Sequence, residues 1–297
     1  MKNNLTRFDL SGKTITVIFL LFFVLLFAGC GMKKEFEFSG KTMGTTYHIK
    51  VVAGYLENTK MLKDEIDMRL EEINKSMSTF RKDSEISRFN AFQTIGEKFK
   101  ISDDFYNVMT VAKTIYEETG GAWDGTVKPL VDLWGFGKSE NNHTIPEKSR
   151  IAALLSEIGF NNIEIFADHY LAKKNKAITL DLASIAKGYG VDQVAALIRA
   201  NGIQNFLVEI GGEIFGAGLR KDGKEWRIGI NRPQKNAPID QVYKVVDLQN
   251  KGFATSGDYR NYFEVNQHRF SHVIDPRNGF PVDNGVVSVS IIANTCT

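Results

Sequence analysis

The stretch Asp181-Leu-Ala-Ser-Ile-Ala-Lys-Gly-Tyr-Gly-Val-Asp192 decides how this chain is read. A β-type run, Ala177–Leu180, stops at an acid, and small residues follow. Lys187–Arg199 then has helical spacing, with Val191, Val194, Ala195 and Ile198 on one face. Strand, acid, small residues and helix in that order let a ligand approach backbone N–H groups at a helix N-terminus, which suits a phosphate. The same stretch also reads as an ordinary strand-to-helix connection with an aspartate cap. The choice depends on what surrounds it.

At 297 residues and a formal net charge of +2, the chain can hold one large domain or two lobes with ample core. The near balance of charge and the lack of basic runs with interleaved aromatics argue against a nucleic-acid partner. Lys2, Arg7 and Lys13 precede an uncharged apolar stretch that runs into Leu26-Phe-Ala-Gly-Cys30. That stretch is shorter than the ~20 apolar residues of a spanning helix. Ala28-Gly29 before a cysteine resembles a bacterial lipobox, with Phe27 where leucine is usual. We expect a lipoprotein signal peptide over 1–29, lipidation of the Cys30 thiol and a lipidated tether over 30–36. An uncleaved N-terminal anchor is the alternative. Either arrangement puts the body outside the cytoplasmic membrane, on a periplasmic or outer-surface face. Beyond Cys30 only Cys296 remains, so there is no disulfide framework. No CxxC, HExxH or Cys/His cluster appears, so any metal is a hard one held by oxygen.

The rest of the chain alternates helical and strand patterns. Phe36–Val52 reads as a strand pair broken at Gly40–Thr45. Leu62, Ile66, Leu70 and Ile73 mark a helix over 58–77, and Phe105, Val108, Met109, Ala112 and Ile115 mark another over 102–120. A third helix spans 147–158. Strands are expected at 163–166, 177–180, 204–210, 226–231, 244–248 and 286–293, with 214–219 continuing the strand that ends at Ile210. Met43, between two glycines, is a plug or a ring contact. Phe80 is a core residue or a stacking face. Trp123, Trp134 and Phe136 near glycines wall either a pocket or an ordinary core. The class is α+β, with largely antiparallel sheets and flanking helices.

Seven motifs stand in one order: GKTMGT (Gly40–Thr45), MSTFRKDSEISRFN (Met77–Asn90), GAWDGTVKPLVDLWGFG (Gly121–Gly137), LDLASIAKGYGVD (Leu180–Asp192), VEIGGEIFGAG (Val208–Gly218), ATSGDY (Ala254–Tyr259) and SHVIDPRNG (Ser271–Gly279). Together they resemble the FAD:protein FMN transferases of the ApbE family, over nearly all of 37–297. The resemblance implies a two-lobed core. It implies that FAD is split at its pyrophosphate, FMN is attached to a threonine hydroxyl of a partner protein, and AMP leaves. It implies Met43, Phe80, Ala122, Trp123, Asp124, Asp181, Lys187 and Ile274 as flavin-nucleotide contacts, Ser184 as an oxygen donor to Mg2+, and His272 as the base. Imidazole suits that role near neutral pH, although a histidine before a turn is also an ordinary structural residue. Phe80 stands where the family commonly has tyrosine, which keeps stacking and loses a hydroxyl. Asp258 and Asp275 read as turn-stabilising acids ahead of site acids. Implied acceptors are subunits of Na+-translocating NADH:quinone reductase or Rnf-type complexes, or extracellular electron-transfer flavoproteins.

One departure is visible. The family continues past the strand 286–293 into a helix whose Asp and Thr hold magnesium, whereas this chain reads Asn294-Thr-Cys-Thr297. We therefore expect either a fragment of a normal transferase or a C-terminally truncated, impaired one, in either case with an incomplete metal site as written. FAD hydrolysis to FMN and AMP, or FAD binding without chemistry, are the alternatives.

Overall fold

A tight hairpin opens the part of the chain that the computed structural model describes, which is residues 33–54, 59–137, 144–234, 238 and 241–297. The expected signal segment, Cys30 and the start of the expected tether lie outside the described residues. Strands β1 (Lys34–Thr42) and β2 (Thr45–Ala53) pair with Thr42 opposite Thr45. Only Met43 and Gly44 form the turn, both left-handed, at φ 49 and 73. That hand matches the twist of the flanking strands. It also fixes an unusual backbone for a methionine.

Helix α1 (Thr59–Met77) buries Leu62, Ile66, Leu70, Ile73 and Met77 along one side. Helix α2 (Glu85–Ala91) starts at Ser84, whose hydroxyl accepts from the Ser87 N–H at 3.2 Å. Strand β3 (Phe99–Lys100) leads to α3 (Asp103–Glu118), capped in the same way by Ser102. Next come α4 (Lys128–Leu133), α5 (Lys148–Glu157), β4 (Ile163–Phe166), β5 (Tyr170–Lys173) and α6 (Ala183–Ala200). The remainder is β: β6 (Phe206–Ile210), β7 (Glu213–Ala217), β8 (Trp226–Asn231), β9 (Val242–Leu248), β10 (Lys251–Gly257), β11 (Tyr262–Val265), β12 (His268–Ser271) and β13 (Ser288–Ala293).

The main sheet runs β1-β2-β6-β7-β10-β13, every pair antiparallel. Alternation along β2 sends Tyr47, Ile49 and Val51 into a core with α1 and α6, and Val52 into a second core with Trp226, Ile228 and Leu248 of the β8–β9 hairpin. A third core joins the end of α1, α2, α3, the small sheet β3-β5-β4 and the start of α6. A fourth, built of Leu130, Trp134, Ile151, Ile158, Phe263 and Ile274, joins α4 and α5 to the β11–β12 hairpin. The α+β class and the antiparallel sheets are as expected. Among the described residues no helix is long and apolar enough to cross a membrane.

Four local expectations change. Residues 214–219 do not continue β6: the chain reverses at Gly211-Gly212, and β7 pairs back on β6. Helix α6 starts at Ala183, four residues before Lys187, because the Leu182 carbonyl already accepts from Ile185 and Ala186. Asp181 therefore lies one residue outside the cap, its Oδ1 accepting from the Ala183 N–H at 3.0 Å. The run 177–180 is not a strand; its last residue is held by a side chain instead. Short elements with no period of their own (α2, β3, β5 and β11) were not anticipated.

Candidate functional site

The cleft forms where the β1–β2 turn, the end of α1 and the start of α6 meet. Met43, Asn74, Met77, Phe80, Asp181, Ala186 and Lys187 are among its walls, around a cavity of ≈ 80 Å³. Each wall has a local cause. The left-handed turn carries Met43 over α6, where its methyl would lie 2.8 Å from a Cβ at Gly190, so the glycine makes the notch it occupies. Phe80 follows the C-terminus of α1 and is 73% exposed, a large ring face turned to solvent at the mouth. Asp181 is held by its N–H donating to the Gly125 carbonyl at 2.8 Å. Lys187, one turn into α6, donates to both Glu213 oxygens at 2.7 and 2.9 Å. An anion entering here competes with Glu213 for that ammonium.

The loop between α3 and α4 borders this site. Ala122 is exposed, and the Trp123 indole N–H donates to the Ser184 hydroxyl at 3.0 Å. Asp124 is buried, and its carboxylate accepts from the Thr126 N–H and hydroxyl and from the Phe160 N–H at 3.0 Å. In this structure Asp124 shapes the loop that presents Ala122 and Trp123. Gly125 is required for close packing, since a Cβ there would meet Trp123 at 3.1 Å and Leu182 at 3.3 Å.

Ile274 belongs to another core, His272 packs edge-on against Phe136 beside it, and neither is among the cleft's lining residues. Ile274 is 7% exposed and spends its side chain among Leu130, Trp134 and Phe263. His272 follows β12, with its Nδ1 3.2 Å from the Asn261 carbonyl and its ring edge-on to Phe136. A carbonyl only accepts, so Nδ1 carries a proton, and in the neutral ring that leaves the lone pair on Nε2, the tautomer a base needs. Asp275 and Asp258 serve turns and strand ends: Asp275 accepts from Arg277, which holds its carboxyl below the ordinary value, and Asp258 accepts from Arg269 at 2.8 Å.

The sequence reading thus brings Met43, Phe80, Asp181 and Lys187 into one cleft, with Trp123 and Ser184 hydrogen-bonded to each other beside it. It missed Asn74, which lines the cleft while donating to Thr42 and Leu70. The available signal was a polar residue interrupting the apolar i, i+4 stripe of α1. It also missed Glu213. A magnesium site needs several oxygen donors gathered around one point. Among the described residues no three His, Cys, Asp or Glu side chains gather, and the Ser184 hydroxyl already accepts from Trp123. These residues do not supply the six or so oxygens that a hard cation takes.

A model of the ApbE family matches residues 43–297. An FAD:protein FMN transferase of Vibrio cholerae serotype O1 is 44% identical over 277 residues, 92% of this chain and 81% of that protein. One from Haemophilus influenzae is 39% identical over 289 residues, 95% of this chain and 83% of that protein. The solved structure of a flavin transferase ApbE from Vibrio cholerae has a TM-score of 0.79 at 41% identity, over 89% of this chain and 83% of that one.

Proposed function

This chain belongs to the ApbE family, and from that premise we propose that it transfers FMN from FAD to a threonine hydroxyl of an acceptor protein, releasing AMP. The observation that carries the reading is the cleft that gathers Met43, Phe80, Asp181 and Lys187 at the start of one helix. An apolar wall with an exposed ring at its mouth suits a planar heterocycle, and the Lys187 ammonium suits a phosphate. The threonine oxygen attacks the phosphorus of the FMN half. The bond from that phosphorus to the bridging oxygen breaks, and AMP leaves with the oxygen. The hydroxyl proton passes to His272 Nε2, whose tautomer is held by the Asn261 carbonyl. Lys187 screens charge as it builds on the phosphoryl oxygens.

The basic start, apolar stretch and Cys30 support a lipid-anchored protein acting on the extracytoplasmic face. Replacing Cys30 with serine is expected to release the protein from the membrane fraction, and unchanged fractionation would count against the anchor. For the reaction, FAD and an acceptor bearing a flavinylation threonine are incubated with the chain, with and without magnesium. The readouts are AMP release and flavin covalently bound to the acceptor, and both are expected. His272→Ala is expected to keep FAD binding and lower transfer by about 10²–10⁴-fold. AMP released equally without acceptor would identify a hydrolase, and FAD bound without AMP release would identify a binding protein.

A further inference from the structure

Lys173 on β5 is the least expected buried residue in the molecule. It has no exposed surface, and among the described residues no carboxylate lies within ion-pair distance of it. Its ammonium instead donates to the Asn90 carbonyl at 3.0 Å and lies 5.0 Å from the Phe89 ring centroid. A buried amine without an acid is costly, so what it holds is worth following.

Asn90, near the end of α2, uses both ends of its side chain on one residue. Its Nδ2 donates to the Leu180 carbonyl at 2.9 Å, and its Oδ1 accepts from the Leu180 N–H at 2.7 Å. That pair of bonds is what a neighbouring antiparallel strand would supply. Residues 178–182 lie in no strand or helix, yet Leu180 is fully buried and its backbone groups need partners. A single side chain therefore stands in for a missing strand. The next residue is Asp181, fixed further by the Gly125 carbonyl and opening into the cleft. Asparagine is the side chain that fits, because aspartate would lose the donor and glutamine would overshoot by one methylene.

We propose that Asn90, anchored through its carbonyl by Lys173, is a positioning residue that sets Asp181 at the height where the cleft binds the nucleotide. The inference rests on the reading of the cleft as the FAD site. Removing the amide leaves the Leu180 N–H and carbonyl unpaired in an apolar core. The segment relieves this by moving toward water, and Asp181 moves with it.

The test is a double-mutant cycle on FAD affinity, measured by equilibrium titration of the folded protein, with melting temperature followed in parallel. Asn90→Leu is expected to weaken FAD binding about tenfold in the parent chain and less than about twofold in an Asp181→Ala background. A merely structural role would lower the melting temperature and leave the affinity of the folded protein unchanged. Equal losses in both backgrounds, or no loss, would overturn the proposal. If Asn90→Leu does not fold, Lys173→Met replaces it in the same cycle: it removes the donor to Asn90 and keeps a buried apolar chain. Its expected effect is about threefold, again only when Asp181 is present. A parent chain that binds no FAD would overturn the reading of the cleft, and this inference with it.

Discussion

Phe80, at the mouth of the cleft, and Lys173, buried behind it, are held in opposite ways. Phe80 has most of its ring in solvent, so removing it costs the fold little. Phe80→Ala is expected to change stability by less than about 0.5 kcal/mol while weakening FAD binding by about 1–2 kcal/mol. Chemical denaturation beside FAD titration checks both, and an affinity equal to the parent's would remove Phe80 from the site. Lys173 is the opposite case. Burial alone pulls its pKa from 10.5 down to about 8. Between those values the unfolded chain binds more protons than the folded one, so stability rises with pH. Below about pH 8 the charged form carries a penalty of about 3 kcal/mol. Unfolding free energy measured from pH 8 to 10.5 is expected to climb in the parent chain and to lack that increment in Lys173→Met.

Among the elements, α1, α3 and α5 were legible because apolar residues recur at helical spacing, and the β1–β2 hairpin because the glycine-rich break at Gly40–Thr45 interrupts two strand-like runs. The run 177–180 was misread for a specific reason: its residue types are apolar and β-prone like a strand's, but the partner of Leu180 is the amide of Asn90, ninety residues away, which no local period reveals. β5 was missed because its buried lysine breaks the expected pattern. Met43, Phe80, Asp181 and Lys187 were readable only as members of motifs, since nothing in their spacing says that a hairpin turn meets a helix start. Helices α1, α3 and α6 are tied by one acid. Asp104 of α3 receives Arg69 of α1 through two bonds and the Tyr189 hydroxyl of α6 at 2.6 Å. Burial pushes the Asp104 carboxyl up, and these donors pull it further down, to a net value below the ordinary one. Its contribution is therefore full above the unfolded carboxylate range and is lost as pH falls through the depressed value. Asp104→Asn is expected to cost about 2–3 kcal/mol at neutral pH and to flatten the acid limb of the stability profile, as read by denaturant titration at several pH values.

At the scale of the whole molecule, the cleft proposed for the nucleotide and the proposed base rest on different cores. Met43 and Lys187 are braced by α6 and the six-stranded sheet, and Asp181 by the Gly125 carbonyl and the Asn90-held Leu180 beside it. His272 is held on a smaller aromatic assembly in which Phe136, Phe263, Phe270 and Trp134 pack ring against ring at 5.3–5.5 Å between neighbours. Local opening of a small cluster needs less free energy than opening the main core. Heat inactivation should therefore occur in two stages. On a slow temperature ramp, turnover is expected to vanish several degrees before bound FAD is released, leaving a holding protein where there had been a catalyst. Coincident loss of both would mean that the two cores melt as one.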